Sequence, residues 1–220
     1  YIKEHPTSPY VEKAHFYRAE RSGRLADLRD YQEKFPSGKF EDKVNLRLYA
    51  LETKSLDSIR QNPRPANIQQ FAKNFPETQR LPEVKQAAET RIENRKELLA
   101  AVEDAYVTAV RRKPTKQKVD DYLHDFPQTA RLQDVTEAVA AKPEVMNQVQ
   151  IELEEAHLKK MEKDPTASQA QEFLQQFPEP IKKQEFEKVL DKKPDLKQEA
   201  ISKMRKTREA REAKERKMLE

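Results

Sequence analysis

Four glutamates recur at one place in a repeating frame: Glu12, Glu52, Glu103 and Glu154 each stand eleven residues before a Gly or Pro that introduces a short helix. Carboxylates so placed have two uses. They could form a ladder that recognises a basic partner, or each could accept hydrogen bonds from a neighbouring helix terminus or from a Lys or Arg. The second, structural use is the simpler. One carboxylate per repeat does not make an acid–base pair, which needs a separation of about 5–10 Å. The histidines offer less chemistry. His15 and His157 share a repeat column with Tyr106, His5 replaces a recurring phenylalanine, and His124 stands alone on the polar side of a short helix. No His-x3-His or His-Glu-x-x-His spacing occurs, so no metal site is expected.

The carboxyl-terminal stretch differs in kind. Between residues 203 and 217 stand eight basic and three acidic residues, a local net charge of +5 against +4 for the whole chain. Lys203, Arg205, Lys206, Arg208, Arg211 and Lys214 form a candidate interaction surface. The pattern predicts a charged, net basic helix over 201–220, solvated or in electrostatic contact with nucleic acid, anionic lipid or an acidic protein. The interspersed glutamates argue against strong phosphate binding.

Composition removes whole classes of chemistry. The 220 residues include no Cys, so disulfides, thiolate zinc sites and cysteine nucleophiles are excluded. Gly23 and Gly38 are the only glycines, too few for a glycine-rich phosphate loop. No apolar run approaches the length of about 18 residues that would span a membrane. The sequence therefore predicts no catalytic residue, no cofactor and no enzymatic activity.

The elements that position these residues follow from proline punctuation. Tyr31 to Phe35-Pro36 recurs as Phe71 to Phe75-Pro76, Tyr122 to Phe126-Pro127 and Phe173 to Phe177-Pro178, with a trimmed copy, Tyr1 to His5-Pro6, at the start. Thirteen residues before these prolines stand Gly23, Pro63, Pro114 and Pro165. Between the two marks the apolar residues fall at i, i+3 and i+7: Leu28, Tyr31, Phe35; Ile68, Phe71, Phe75; Val119, Tyr122, Phe126; Ala170, Phe173, Phe177. That is one face of a helix of about three turns. The Phe-Pro pair ends it, because the residue before proline is driven out of the α region. Ser8, Gly38, Thr78 and Thr129, two residues on, are expected to N-cap the following helix.

Those following helices carry shared columns as well: Ala14, Val44, Val84, Val135 and Phe186 near their starts, and Ala19, Ile59, Val110 and Met161 near their ends. Ala14, Ala105 and Ala156 form a small-residue column interrupted by Lys54. The stretches differ in length by ten or eleven residues, close to three helical turns, which predicts long helices of unequal length alternating with short ones. Pro143 and Pro194 are expected to break or kink the last two; Ile92 fills that position one copy earlier and predicts a continuous helix there.

A unit that reads Glu-x-Ala followed by aromatic-x3-Phe-Pro-x-Thr resembles the tetratricopeptide-like repeats of bacterial scaffold, sensor and envelope proteins. The resemblance covers residues 1–190. It departs in its period, since the Phe-Pro prolines lie 40 or 51 residues apart rather than 34. It implies an all-α, elongated solenoid of helical hairpins over 1–200, with units near 1–22, 23–62, 63–113, 114–164 and 165–200. It further implies a non-catalytic protein-interaction or scaffold module of a larger bacterial protein, with a protein as partner. A mechanical spacer or stalk of an envelope protein is the alternative, and weak binding of nucleic acid or an anionic surface through 203–217 a second. Composition suits a bacterial periplasm or cytoplasm alike.

Overall fold

The computed structural model describes residues 10–219, without the side chains of Arg211, Glu212 and Lys214–Leu219. The described residues form twelve α-helices and one short 3-10 helix, with no strand. The chain divides into two compact units, Tyr1–Ala105 and Tyr106–Glu220.

In the first unit, α1 (Val11–Ser22) packs on α2 (Leu25–Lys34), α2 on α3 (Glu41–Gln61), and α3 on α4 (Pro65–Asn74) and α5 (Leu81–Glu89). Phe16, Ala19, Leu28, Tyr31 and Val44 form a buried cluster, around which Phe35, Phe40, Leu48 and Leu51 pack. The rings of Phe16 and Phe40 stack at 4.3 Å. Helix α6 (Arg95–Arg112) runs across the division between the units.

The second unit holds α7 (Lys116–Asp125), α8 (Leu132–Ala140), α9 (Pro143–Met161), α10 (Ala167–Gln176), α11 (Lys183–Val189), the 3-10 turn Leu190–Lys192 and α12 (Pro194–Leu219). Helix α9 packs against α7, α8, α10 and α11, while α10 also meets α8 and α12. The column residues Val44, Val84, Val135 and Phe186 are all fully buried, as are Ile68, Phe71, Val119, Tyr122 and Phe173.

The short helices begin alike. Gly23, Pro63, Pro114 and Pro165 stand one residue before the N-cap, and the three prolines are buried. Ile68, Val119 and Ala170, at the fourth helical position, are buried too, which are the two positions of a hydrophobic staple. Thr166 adds a reciprocal capping box with Gln169. Gly23 closes α1 at φ +60°, its N–H donating to the Ala19 carbonyl, a left-handed conformation that favours glycine. At the other end Phe35, Phe75, Phe126 and Phe177 leave the helical region at φ between −134° and −124°, as the following proline requires.

The structure corrects two expectations. Gly38, Thr78 and Thr129 are not N-caps: their N–H groups close a turn on the preceding Phe carbonyl at 3.0–3.1 Å, and α3, α5 and α8 start three residues later. The N-cap positions of these helices fall two residues further on, at Phe40, Arg80 and Arg131. Nor is the stretch through Ile92 continuous. Helix α5 ends at Glu89, where the Thr90 hydroxyl donates to the Ala87 carbonyl at 2.8 Å. The Arg91 guanidinium reaches the Gln61 carbonyl at the end of α3, leaving Ile92 92% exposed while Leu98 takes the core position. Pro143 and Pro194 begin α9 and α12 outright. The ten extra residues before Pro63 therefore do lengthen one helix, α3 having 21 residues against 12 in α1, whereas the further eleven add a helix break, and the later units hold three helices where a hairpin was expected.

Candidate interaction surfaces

The four column glutamates sit on four different helices, α1, α3, α6 and α9. Glu154, fully buried, accepts from the Ile181 N–H at 3.0 Å, the Lys182 N–H at 2.7 Å and Gln150 Nε2 at 2.7 Å. Glu12 accepts from the Lys39 N–H and from the Tyr31 hydroxyl at 2.8 Å, and the Tyr31 oxygen accepts in turn from the Phe40 N–H at 3.1 Å. Burial, helped by the Glu12 carboxylate, pushes the Tyr31 hydroxyl up to about 12. Both glutamates thus tie one helix to the N–H groups that open the helix after the next Phe-Pro turn.

The turn residue decides which group performs that service. Thr78 and Thr129 use their own Oγ1 to accept from the Arg80 N–H at 3.0 Å and the Arg131 N–H at 2.8 Å. Gly38 and Pro180 carry no hydroxyl, and it is in those copies that Glu12 and Glu154 reach the turn. Gly38 also has no room for a side chain, since a Cβ there would collide with the Tyr31 hydroxyl and come within 2.7 Å of Glu12. In the Thr78 copy the half-buried Glu52 keeps one buried carboxylate oxygen with no hydrogen-bond partner. Its neighbour Arg80 bonds Thr53 and Glu83 and lies over the Tyr49 ring. Glu103 is half-buried on α6.

The column of His15, Tyr106 and His157 is buried. His157 Nε2 lies 3.1 Å from Thr136 Oγ1, whose own proton goes to the Leu132 carbonyl at 2.9 Å, so the imidazole is the donor and Nε2 carries hydrogen. Burial, with Lys160 adding to it, holds this ring down at about 4. His15 Nδ1 stands 3.2 Å from Asp30 Oδ2, yet off line and without a well-formed hydrogen bond. Burial lowers that ring as well, Lys34 and Arg18 reinforcing it against Asp30. Tyr106 donates to Asp125, and burial followed by that carboxylate raises its pKa. Among the described residues no group of three or more His, Asp or Glu is arranged to hold a metal ion.

Among the described side chains of α12, Ala200 and Met204 are buried, and Lys203, Arg205, Lys206 and Arg208 are exposed. Arg205 pairs with Glu209 at 2.7 Å, a surface pair that contributes at most about 0.5 kcal/mol. Arg211 and Lys214 fall among the side chains outside the described set. No described helix is long and apolar enough to cross a membrane.

One concave feature was not singled out by sequence reasoning. Between α7, the Phe126-Pro127 turn and α9 lies a cavity of about 320 Å³, floored by Leu123, Pro127, Leu132 and Ala156. Asp120, Glu152 and Glu155 stand on its rim with Lys159, Lys160 and His124. Lys116 bonds Asp120 at 3.1 Å and Glu152 at 2.8 Å, and Lys182 bonds Glu155 at 2.9 Å. The available signal was the change of sign along one face of α9, from Glu152 and Glu155 to Lys159 at helical spacing. No family model matches the chain, and no curated protein or solved structure matches it either.

Proposed function

We propose that the chain is a tetratricopeptide-like helical solenoid acting as a non-catalytic protein-interaction or scaffold module. The observation that carries the reading is the reuse of one device. Helix, Phe-Pro turn and helix recur with buried columns at the same repeat positions, and two of the column glutamates, Glu12 and Glu154, are consumed in joining one helix to the next turn. Glu154 is fully buried and spent on three donors, which fits a joint better than a ligand ladder. Stability in such arrays is approximately a sum over neighbouring copies, leaving the outer faces free to recognise a partner.

The test is affinity capture with the immobilised chain across several ionic strengths, followed by reconstitution with the purified candidate. The reading expects a saturable one-to-one complex with a defined protein. Recovery of no protein that rebinds in purified form contradicts it.

A further inference from the structure

Helix α12 repeats α9 for part of its length and then departs from it. Counted from the prolines that open the two helices, Val149 and Leu153 correspond to Ala200 and Met204, and all four are buried. One turn further on, His157 and Leu158 are buried on α9, whereas their counterparts Arg208 and Glu209 are exposed. From Arg205 to Ala210 every α12 residue is exposed, so no described element covers this part of the helix. The charges along it are sorted by face. At about 100° per residue, Lys203, Lys206, Arg211, Lys214 and Lys217 fall in an arc of about 140° that holds none of the acidic residues between 203 and 217. Glu209, Glu212 and Glu215 fall in the opposite arc, with Arg205, Arg208 and Arg216. Each of the four arginines in this stretch has a glutamate four residues away, and Arg205 pairs with its own, Glu209, at 2.7 Å. Lys206, Lys214 and Lys217 have no acidic residue at that spacing. The glutamates are thus matched to the arginines, and most of the net charge of +5 is left on a lysine stripe about 21 Å long.

We propose that this stripe docks an acidic helix of a partner protein, one whose carboxylates recur every three or four residues along a single face. Successive stripe residues stand three to five positions apart, a rise of about 4.5–7.5 Å, and carboxylates at i, i+3 and i+7 on a partner helix rise by about 4.5–6 Å. Two other anionic surfaces fit less well. Phosphate recognition favours the planar fork of arginine, and here the arginines are the residues with glutamates beside them. Between 205 and 217 stands no large apolar residue to hold the helix in a membrane. The proposal rests on the interaction-module reading above and gives that partner's chemistry. Electrostatic complementarity of this kind sets specificity and weakens as salt is raised.

The experiment titrates the full chain, at low ionic strength, into two labelled helical peptides followed by fluorescence anisotropy. The peptides have one composition: in the first the glutamates recur three and four residues apart on a single face, and in the second they are spread around the helix. Three proteins are compared: the unaltered chain, Lys203→Gln/Lys214→Gln on the stripe, and Arg205→Gln/Arg216→Gln on the opposite face, which has the same separation and charge change. Glutamine is a good helix former, and circular dichroism checks that each variant keeps its helices. The expected result is saturable binding of the striped peptide, weakened about fivefold or more by the lysine variant and about twofold or less by the arginine variant. The peptide with spread glutamates should bind more weakly than the striped one. No saturable binding, equal affinity for the two peptides, or equal losses in the two variants overturns the proposal. Tighter binding of single-stranded DNA or of phosphatidylserine vesicles than of the striped peptide also overturns it, assigning the stripe to phosphate. A reconstituted partner that binds the unaltered chain and the lysine variant alike would remove this site and leave the interaction-module reading standing. Failure of partner reconstitution would remove that reading instead.

Discussion

Replacing Glu154 by alanine takes one acceptor group from three donors at once. The Ile181 and Lys182 N–H groups lie at 3.0 and 2.7 Å from its two oxygens, and no hydroxyl is at hand to replace it because the turn residue is Pro180. Hydrogen bonds to a charged group contribute about 1.5–3 kcal/mol each, and two stranded backbone donors add a desolvation penalty where water cannot enter. Allowing for partial relaxation, Glu154→Ala should destabilise the second unit by about 3–5 kcal/mol, the range for breaking a buried charged contact from one side. Glu154→Gln keeps one acceptor oxygen and should lose about 1–2 kcal/mol. The turn chemistry supplies an internal control: Pro180→Thr restores the hydroxyl that serves Arg80 and Arg131 in the other copies, and should recover about 1 kcal/mol of the alanine variant's loss. Equilibrium denaturant unfolding followed by circular dichroism measures all of these. A loss below about 1 kcal/mol for Glu154→Ala would refute the joint assigned to this carboxylate.

The neutral His157 ring makes the second unit sensitive to acid. Its pKa falls from 6.5 unfolded to about 4 folded, so this contribution is fully present above pH 6.5 and declines as pH drops toward 4, by about 3 kcal/mol in all. His157→Phe should flatten stability between pH 6.5 and 4.5 in denaturant titrations; parallel curves for variant and parent would contradict the assignment. Phe173 is fully buried and stacks on Phe186 at 4.5 Å, so Phe173→Ala should cost about 3–5 kcal/mol, with a smaller loss at the half-buried Phe126 in the same assay. Equal losses at the two positions would contradict the burial ordering.

What the sequence made legible was whatever repeats. Proline spacing marked the short helices, and period-3.6 placement marked their buried faces, so Leu28, Ile68, Val119 and Ala170 and their ring partners could be aligned before any coordinates. Local hydrogen bonding was not legible in the same way. Thr78 and Thr129 look like N-caps, but whether a hydroxyl caps a helix or closes a turn depends on where the preceding Phe carbonyl points. The break after Glu89 was hidden because no proline marks it: a threonine side chain and an arginine that reaches α3 terminate the helix instead. The α7–α9 cleft was hidden for a further reason. Its charge balance depends on Lys116 meeting Glu152 across 36 residues, a pairing created by packing rather than by spacing.

Small-angle X-ray scattering of the full chain tests the central claim, that these repeated joints build a solenoid. A single compact domain of this length has a radius of gyration of about 17 Å. The account predicts a value well above that, with a pair-distance distribution skewed to long distances, and a symmetric distribution at about 17 Å would contradict it.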